Sequence, residues 1–263
     1  MISYKDICEH VRENCAKTGE FILNERKKFS QQAVEIKGNN DFVSYVDKTA
    51  EQQLVTALEK IIPEAGFIAE ENTSNKKGQT YNWIIDPLDG TTNFIHGLPV
   101  FCISIGLMKN DKMVLGVVHE LNFNECFYAW NESPAYLNGN EIRVTQSTNI
   151  KNSLFATGFP YYDYSRMNEY IELFKHFMQH SRGLRRLGSA AADLAYVACG
   201  RLDGFFEYGL RPWDVAAGSF IVQQAGGKNF DFKGKDDFLF GKEIVSCNST
   251  IAAEMEELIK KYF

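Results

Sequence analysis

Apolar or small residues at Tyr4, Ile7, Cys8, Val11, Cys15 and Ile22 recur at helical spacing, which predicts a long amphipathic helix at the start of the chain. Asp41 to Tyr45 reads as a loop. A second helix follows with Val46, Ala50, Leu54, Leu58 and Ile61 on one stripe, Ser44 as candidate N-cap and Pro63 as its stop. Phe67-Ile68-Ala69 predicts a short strand running into Glu70-Glu71, and Asn72 to Gln79 a polar loop. Trp83-Ile84-Ile85 predicts a buried strand ending at Asp86-Pro87. From Val100 to Trp130 three apolar runs are joined by polar turns at 109–111 and 121–124, the pattern of an antiparallel meander. A further turn falls at Asn138-Gly139.

Beyond that point the period alternates. Ser153 to Thr157, Asp203 to Tyr208 and Glu243 to Cys247 read as strands. Ser165 to His180, with Ile171, Phe174 and Phe177 inward, reads as a helix, as do Ser189 to Cys199, Asp214 to Gln224 and Ser249 to Lys260. Glycines at 200 and 226–227 suit left-handed helix ends. No repeat or linker divides the chain, so residues 1–263 are expected to form one layered α/β domain. Its halves would be a strand-rich 1–145 and an alternating 146–263.

Composition narrows the function. The 34 acids outnumber the 28 bases, which argues against a protein held to nucleic acid by phosphate contacts. No apolar run approaches the ~20 residues of a membrane helix. Met1 to Asp6 has no apolar signal core, so a cytoplasmic location is expected. The six cysteines form no Cys-x-x-Cys. Cys8 and Cys15 would lie roughly 10 Å apart on a helix, too far for a disulfide, and the six are expected to be reduced and mostly buried.

The candidate chemistry lies in the acids. Glu70, Asp86, Asp89 and Asp214 each abut sequence that should be buried, with no Lys or Arg run beside them. Buried carboxylates need partners, and all-oxygen ligation, with the Leu88 carbonyl as a neutral donor, selects a hard cation such as Mg²⁺, Mn²⁺ or Ca²⁺. Plainer readings stand beside this one: a solvated Glu70-Glu71 pair, a simple turn at Asp86 to Thr91, Asp214 as a helix cap. Gly90-Thr91-Thr92-Asn93 follows the acids. A short helix starting there would offer N–H groups to an anion. Acid-held cations beside an anion cradle suit hydrolysis of a phosphate ester.

Trp83-Ile84-Ile85-Asp86-Pro87-Leu88-Asp89-Gly90-Thr91-Thr92-Asn93-Phe94 resembles the first signature of the inositol monophosphatase family. Arg211-Pro212-Trp213-Asp214-Val215-Ala216-Ala217-Gly218 resembles its second, and Phe67 to Glu71 stands correctly upstream. The likeness runs from Val43 to the last strand. It implies an αβαβα sandwich of mixed, largely antiparallel sheets, commonly a homodimer. It further implies a first Mg²⁺ on Glu70, Asp86 and the Leu88 carbonyl, and a second on Asp86, Asp89 and Asp214. A third, weaker ion would use Glu70, and Mn²⁺ is a possible substitute. Thr91, oriented by Asp47, would hold the attacking water, with Glu70 assisting. Gly90 and Thr91 would take the phosphate, and Asp89, Ser189, Ala190, Glu207 and Asp214 would contact the substrate. Ser189 to Ala192 also reads as a close helix contact. Direct hydrolysis without a phospho-enzyme follows from this set.

Thr92-Asn93 resembles the branch acting on inositol 1-phosphate. Adenosine 3′,5′-bisphosphate, fructose 1,6-bisphosphate and histidinol phosphate are the alternatives. Some bacterial members of the family also act as partners of the transcription machinery, which keeps a protein-binding role open. His176 and His180, four apart, read as a surface helix face rather than a zinc pair. Arg182, Arg185 and Arg186 read as a solvated or interface patch.

Overall fold

The computed structural model describes residues 3–28, 34–36 and 42–263. Helix α1 (Tyr4–Lys28) buries Ile7, Cys8, Val11, Cys15 and Ile22, the stripe its spacing predicts. A two-stranded ribbon of β1 (Val34–Ile36) and β2 (Phe42–Ser44) leads into α2 (Tyr45–Ile61). The loop expected from Asp41 to Tyr45 is therefore strand and helix start, apart from Asp41, which lies outside the described residues.

The first sheet has seven strands in the order of the chain: β3 (Gly66–Ala69), β4 (Tyr81–Asp89), β5 (Cys102–Lys109), β6 (Lys112–Glu120), β7 (Glu125–Trp130), β8 (Ala135–Leu137) and β9 (Asn140–Ile142). Only β3 and β4 pair in parallel; the rest is the expected meander, extended by a β8–β9 hairpin around Asn138-Gly139. Between β4 and β5 comes α3 (Thr91–His96). Strand β4 does not stop at Ile85. It continues to Asp89 through a register shift between Asp86 and Asp89, because a bulge absorbs Pro87, which has no N–H for the ladder.

The second sheet has five strands in the order β11 (Gly183–Arg185), β10 (Leu154–Thr157), β12 (Gly204–Tyr208), β14 (Glu243–Asn248), β13 (Gly227–Phe230). Strands β11, β10 and β12 run parallel, whereas β12, β14 and β13 are antiparallel. Four helices serve this half: α4 (Met167–His180), α5 (Ala190–Ala198), α6 (Pro212–Gln224) and α7 (Ala252–Tyr262). On α4 the inward face is Tyr170, Leu173 and Phe177; of the expected inward residues Phe177 is buried, Phe174 is half-buried and Ile171 is exposed.

The layers follow from the contacts. Helices α1 and α2 cover one face of the seven-stranded sheet, α5 and α6 lie between the two sheets, and α4 and α7 close the outer face of the second. This is the αβαβα order. A helix between two sheets must be apolar all round and thin. Every residue of α5 is buried, as is α6 from Val215 to Val222. The alanines of α5 and Gly218 of α6 let the pair close up: a Cβ on Gly218 would come within 2.6 Å of Leu194 Cβ. All six cysteines are free, five of them buried and Cys199 half-buried. No helix among the described residues is long and apolar enough to cross a membrane.

Candidate functional site

A cavity of about 460 Å³ opens where the end of β4 meets the first turns of α3, α5 and α6 and the end of β12. Four acids from three separate chain segments line it: Glu70 after β3, Asp86 and Asp89 in the bulge of β4, and Asp214 in α6. Leu88, Gly90, Thr91, Ser189, Ala190 and Glu207 line it too. Asp47 is buried in the first turn of α2 and is not among the lining residues described.

Local structure explains each placement. The bulge turns Asp86 and Asp89 toward one locus, and Asp86 Oδ1 accepts from the Leu88 N–H at 2.9 Å. Gly90 follows at φ 93°, a left-handed conformation that L residues rarely adopt, and starts α3. Thr91 Oγ1 donates to the Leu88 carbonyl at 3.0 Å. Asn93 joins the two halves of the chain, its Nδ2 donating to the carbonyls of Val100 and Leu187 at 2.7 and 2.8 Å. Ser189 caps α5, and its hydroxyl donates to Asp89 Oδ2 at 2.6 Å; the Ala191 N–H donates to the same oxygen at 2.7 Å. Asp214 is not the N-cap of α6. The helix begins two residues earlier, at Pro212, so Asp214 takes the third position and accepts from the Arg211 N–H at 2.7 Å.

The electrostatics are those of crowded anions. Asp86 is 2 % exposed. Burial, then the Glu70, Asp89 and Asp214 carboxylates, push its acid well above the usual range. Asp89 is also raised by burial, with the Ser189 and Ala191 donors pulling it back. The starts of α3, α5 and α6 all face the cavity and oppose this charge with their N–H dipoles. Among the described residues, no three His, Cys, Asp or Glu side chains stand ready as a metal-ligand group. Asp89 and Asp214 each have an oxygen turned to a backbone donor. The donor chemistry nonetheless fits a hard divalent cation. Glu70, Asp86, Asp89 and Asp214 are all oxygen donors facing one space, and a cation among them would relieve the repulsion that raises Asp86.

Two residues of this neighbourhood, Glu51 and Asp193, escape the sequence reading, and a third, Arg186, reads there as part of a solvated or interface patch. Glu51, fully buried in α2, accepts from the N–H groups of Glu71 and Thr73 at 2.7 and 2.8 Å and so anchors the loop that carries Glu70. The signal was an acid on the apolar stripe, one helical turn after Asp47. Asp193 and Arg186 both line the cavity. All three arginines of the cluster are exposed, but the fold splits them: Arg186 donates to Tyr161 Oη at 2.7 Å at the cavity, and Arg182 lines a separate groove with His176 and His180. The two histidines stack at 4.3 Å on the exposed side of α4.

The inositol monophosphatase family model matches residues 4–262. The Nus factor SuhB of Pseudomonas aeruginosa is 40 % identical over 236 residues, covering 88 % of this chain and 87 % of that protein. The crystal structure of the extragenic suppressor protein suhB of Bartonella henselae superposes with a TM-score of 0.92 at 36 % identity, over 97 % of this chain and 99 % of that one. An inositol monophosphatase structure from Anabaena gives 0.85 at 31 %, over 98 % and 96 %. A match over nearly the whole length, together with the shared fold, makes this chain a member of the inositol monophosphatase family.

Proposed function

We propose that this chain hydrolyses a small phosphate monoester, with myo-inositol 1-phosphate as its first substrate, in a reaction dependent on Mg²⁺ or Mn²⁺. The observation that carries the reading is the convergence of Glu70, Asp86, Asp89 and Asp214 on one cavity beside three helix starts. Glu70, Asp86 and the Leu88 carbonyl would hold one cation, and Asp86, Asp89 and Asp214 a second. A third, weaker one would rest on Glu70. Bound there, the cations would acidify water and neutralise charge on the phosphoryl and leaving oxygens.

The chain's own groups do the rest. The Thr91 proton is committed to the Leu88 carbonyl, so its oxygen is free to accept from a water and hold it toward phosphorus. Asp47 would orient Thr91 by rearranging that bond. Glu70 takes the water proton. Gly90 and Thr91 N–H groups face the phosphate. The water oxygen bonds to phosphorus as the bond to the ester oxygen breaks, and that oxygen leaves as the alcohol with a proton drawn from water, the proton held by Glu70 returning to solvent. Ser189, Ala190 and Glu207 would contact the alcohol portion. Residues 1–145 supply three of the acids and 146–263 the fourth, so one 263-residue domain, in a cytoplasmic homodimer, is the economical reading.

A phosphate-release panel tests this: inositol 1-phosphate, adenosine 3′,5′-bisphosphate, fructose 1,6-bisphosphate and histidinol phosphate, with and without Mg²⁺. Cation-dependent release, lost in Asp89→Asn and Asp214→Asn while both stay folded, is the expected result. Near-wild-type turnover by either variant at saturating Mg²⁺ refutes the ligand assignment. The name Nus factor on a 40 % identical relative favours a second reading, a protein-binding role in transcription. Capture of transcription proteins by a chain that releases no phosphate from any ester would favour it.

A further inference from the structure

The cavity holds a carboxylate that the proposed hydrolysis does not use. Asp193, in the first turn of α5, is 1 % exposed, lines the cavity, and has an Oδ1 with no hydrogen-bond partner. Glu207, at the end of β12, is 7 % exposed and lines the same cavity. A buried carboxylate oxygen without a donor costs several kcal/mol, so Asp193 Oδ1, in a cavity that a second acid also lines, marks a place where a donor arrives with a ligand.

The surroundings narrow what those donors are. Burial, then the charges of Glu207 and Asp89, raises Asp193, and burial raises Glu207; Arg186 opposes both shifts. Arg186 is itself held to the wall by its bond to Tyr161 Oη. One guanidinium is thus shared by two carboxyls, and its charge disfavours a second cationic group beside it. Neutral O–H donors suit such a pair, since each hydroxyl can give its proton to one carboxyl and accept from a neighbour. Room for this is built in. A Cβ on Gly158, which follows β10, would overlap the Glu207 carboxylate. Asp193 lies one helical turn beyond Ser189, the partner of Asp89, so the pair sits on the alcohol side of the bulge acids.

We propose that Asp193 is a second hydroxyl-reading carboxylate, which accepts a hydrogen bond from the alcohol portion of the ester beside Glu207 and thereby selects polyol phosphates over esters of plain alcohols. This rests on the reading of the cavity as a phosphomonoesterase site. The probes are myo-inositol 1-phosphate and cyclohexyl phosphate, the same ring without free hydroxyls, presented to wild type, Asp193→Ala and Asp193→Asn in Mg²⁺. Steady-state hydrolysis and calorimetric binding are both measured, and a thermal melt checks folding. Loss of a hydrogen bond to a charged group is worth about tenfold to a hundredfold. The expected result is that the preference for the inositol ester falls at least about tenfold in Asp193→Ala, chiefly through KM, and by less in Asp193→Asn, which keeps an acceptor oxygen. A folded variant with the wild-type preference overturns the inference, because a structural role would weaken both esters alike. So does a wild type that never distinguishes the two esters; if it hydrolyses both, the phosphatase reading stands. If it hydrolyses neither, that reading fails, and the same preference measured in binding still decides the role of Asp193.

Discussion

Replacing Ser189 by alanine removes one hydroxyl with three contacts, of which the weakest is to the Cys102 thiol at 3.3 Å. The oxygen caps α5, accepting from the Ala192 N–H at a long 3.4 Å, and it donates to Asp89 Oδ2 at 2.6 Å. A Ser cap is worth about 1 kcal/mol, and this long bond contributes less than that. A hydrogen bond to a charged group contributes about 1.5–3 kcal/mol. Part of that is retained, because the Ala191 N–H still reaches the same oxygen at 2.7 Å. The expected loss is about 2–3 kcal/mol, a fall in Tm of roughly 4–12 °C for a chain of this size. Urea unfolding followed by tryptophan fluorescence measures it, in a chelator so that no cation adds binding energy to the native state. The double variant with Asp89→Asn separates the two roles. If the hydroxyl acts through Asp89, the two losses are non-additive by 1 kcal/mol or more; if it acts only as a cap, they add. A loss under about 0.5 kcal/mol, or simple additivity, refutes the account of how α5 holds Asp89.

Other substitutions test separate contacts. Gly158→Ala is expected to displace the Glu207 carboxylate and lower the inositol/cyclohexyl preference while leaving a folded protein; an unchanged preference on the two esters counts against Glu207 as a substrate contact. Gly218→Val drives a side chain against Leu194, whose Cβ is fixed to its helix and cannot rotate away. A loss of about 1–3 kcal/mol or more by urea unfolding is expected, and a neutral result would mean that α5 and α6 are not in tight contact. His176 is held below its ordinary pKa of 6.5 by partial burial, then by His180 and Lys261. The native state therefore binds fewer protons than the unfolded chain, so its contribution is present above 6.5 and is lost as pH falls below it. His176→Gln should narrow the gap between urea midpoints at pH 7.5 and 5.5; an unaltered gap would contradict the depressed pKa.

Much of this molecule is legible in the order of its residues, and the failures have physical causes. The stripes of α1 and α2 and the meander are read from periodicity because each has one face on the core. Strand β4 looks interrupted because Asp86-Pro87 breaks the apolar run, yet an acid is tolerated in a strand whose end opens on a cavity. The start of α6 is missed by two residues because Pro212 resembles a break, although proline suits a first helical position. The motif acids were found as acids beside buried sequence, a local property. Arg186 and Asp193 were not, since nothing local distinguishes Arg186 from Arg185. Only pairing of β11 with β10, set by residues some thirty positions earlier, decides which of them reaches the cavity.

The same two helices that fill the space between the sheets also deliver the site. Helix α5 presents Ser189, Ala190 and Asp193 from its first turn, and α6 presents Asp214. Their small residues set how closely they approach β5 and β6: a Cβ on Gly116 would meet the Ala217 carbonyl at 2.6 Å, and one on Gly106 the Ala216 Cβ at 3.2 Å. A close-packed layer does not deform gradually, so a side chain added at these glycines moves α6 as a body and carries Asp214 with it. Glu70, Asp86 and Asp89 would stay with the first sheet, to which β3 and β4 belong. The separation between Asp214 and the other three acids is thus a packing distance, set by the missing side chains of Gly106 and Gly116 and the small ones of Ala216 and Ala217, none of which lines the cavity. Side chains added at small-residue positions in the central layer should therefore affect cation affinity as strongly as they affect stability, whereas equal additions beneath α4 and α7 should affect stability alone.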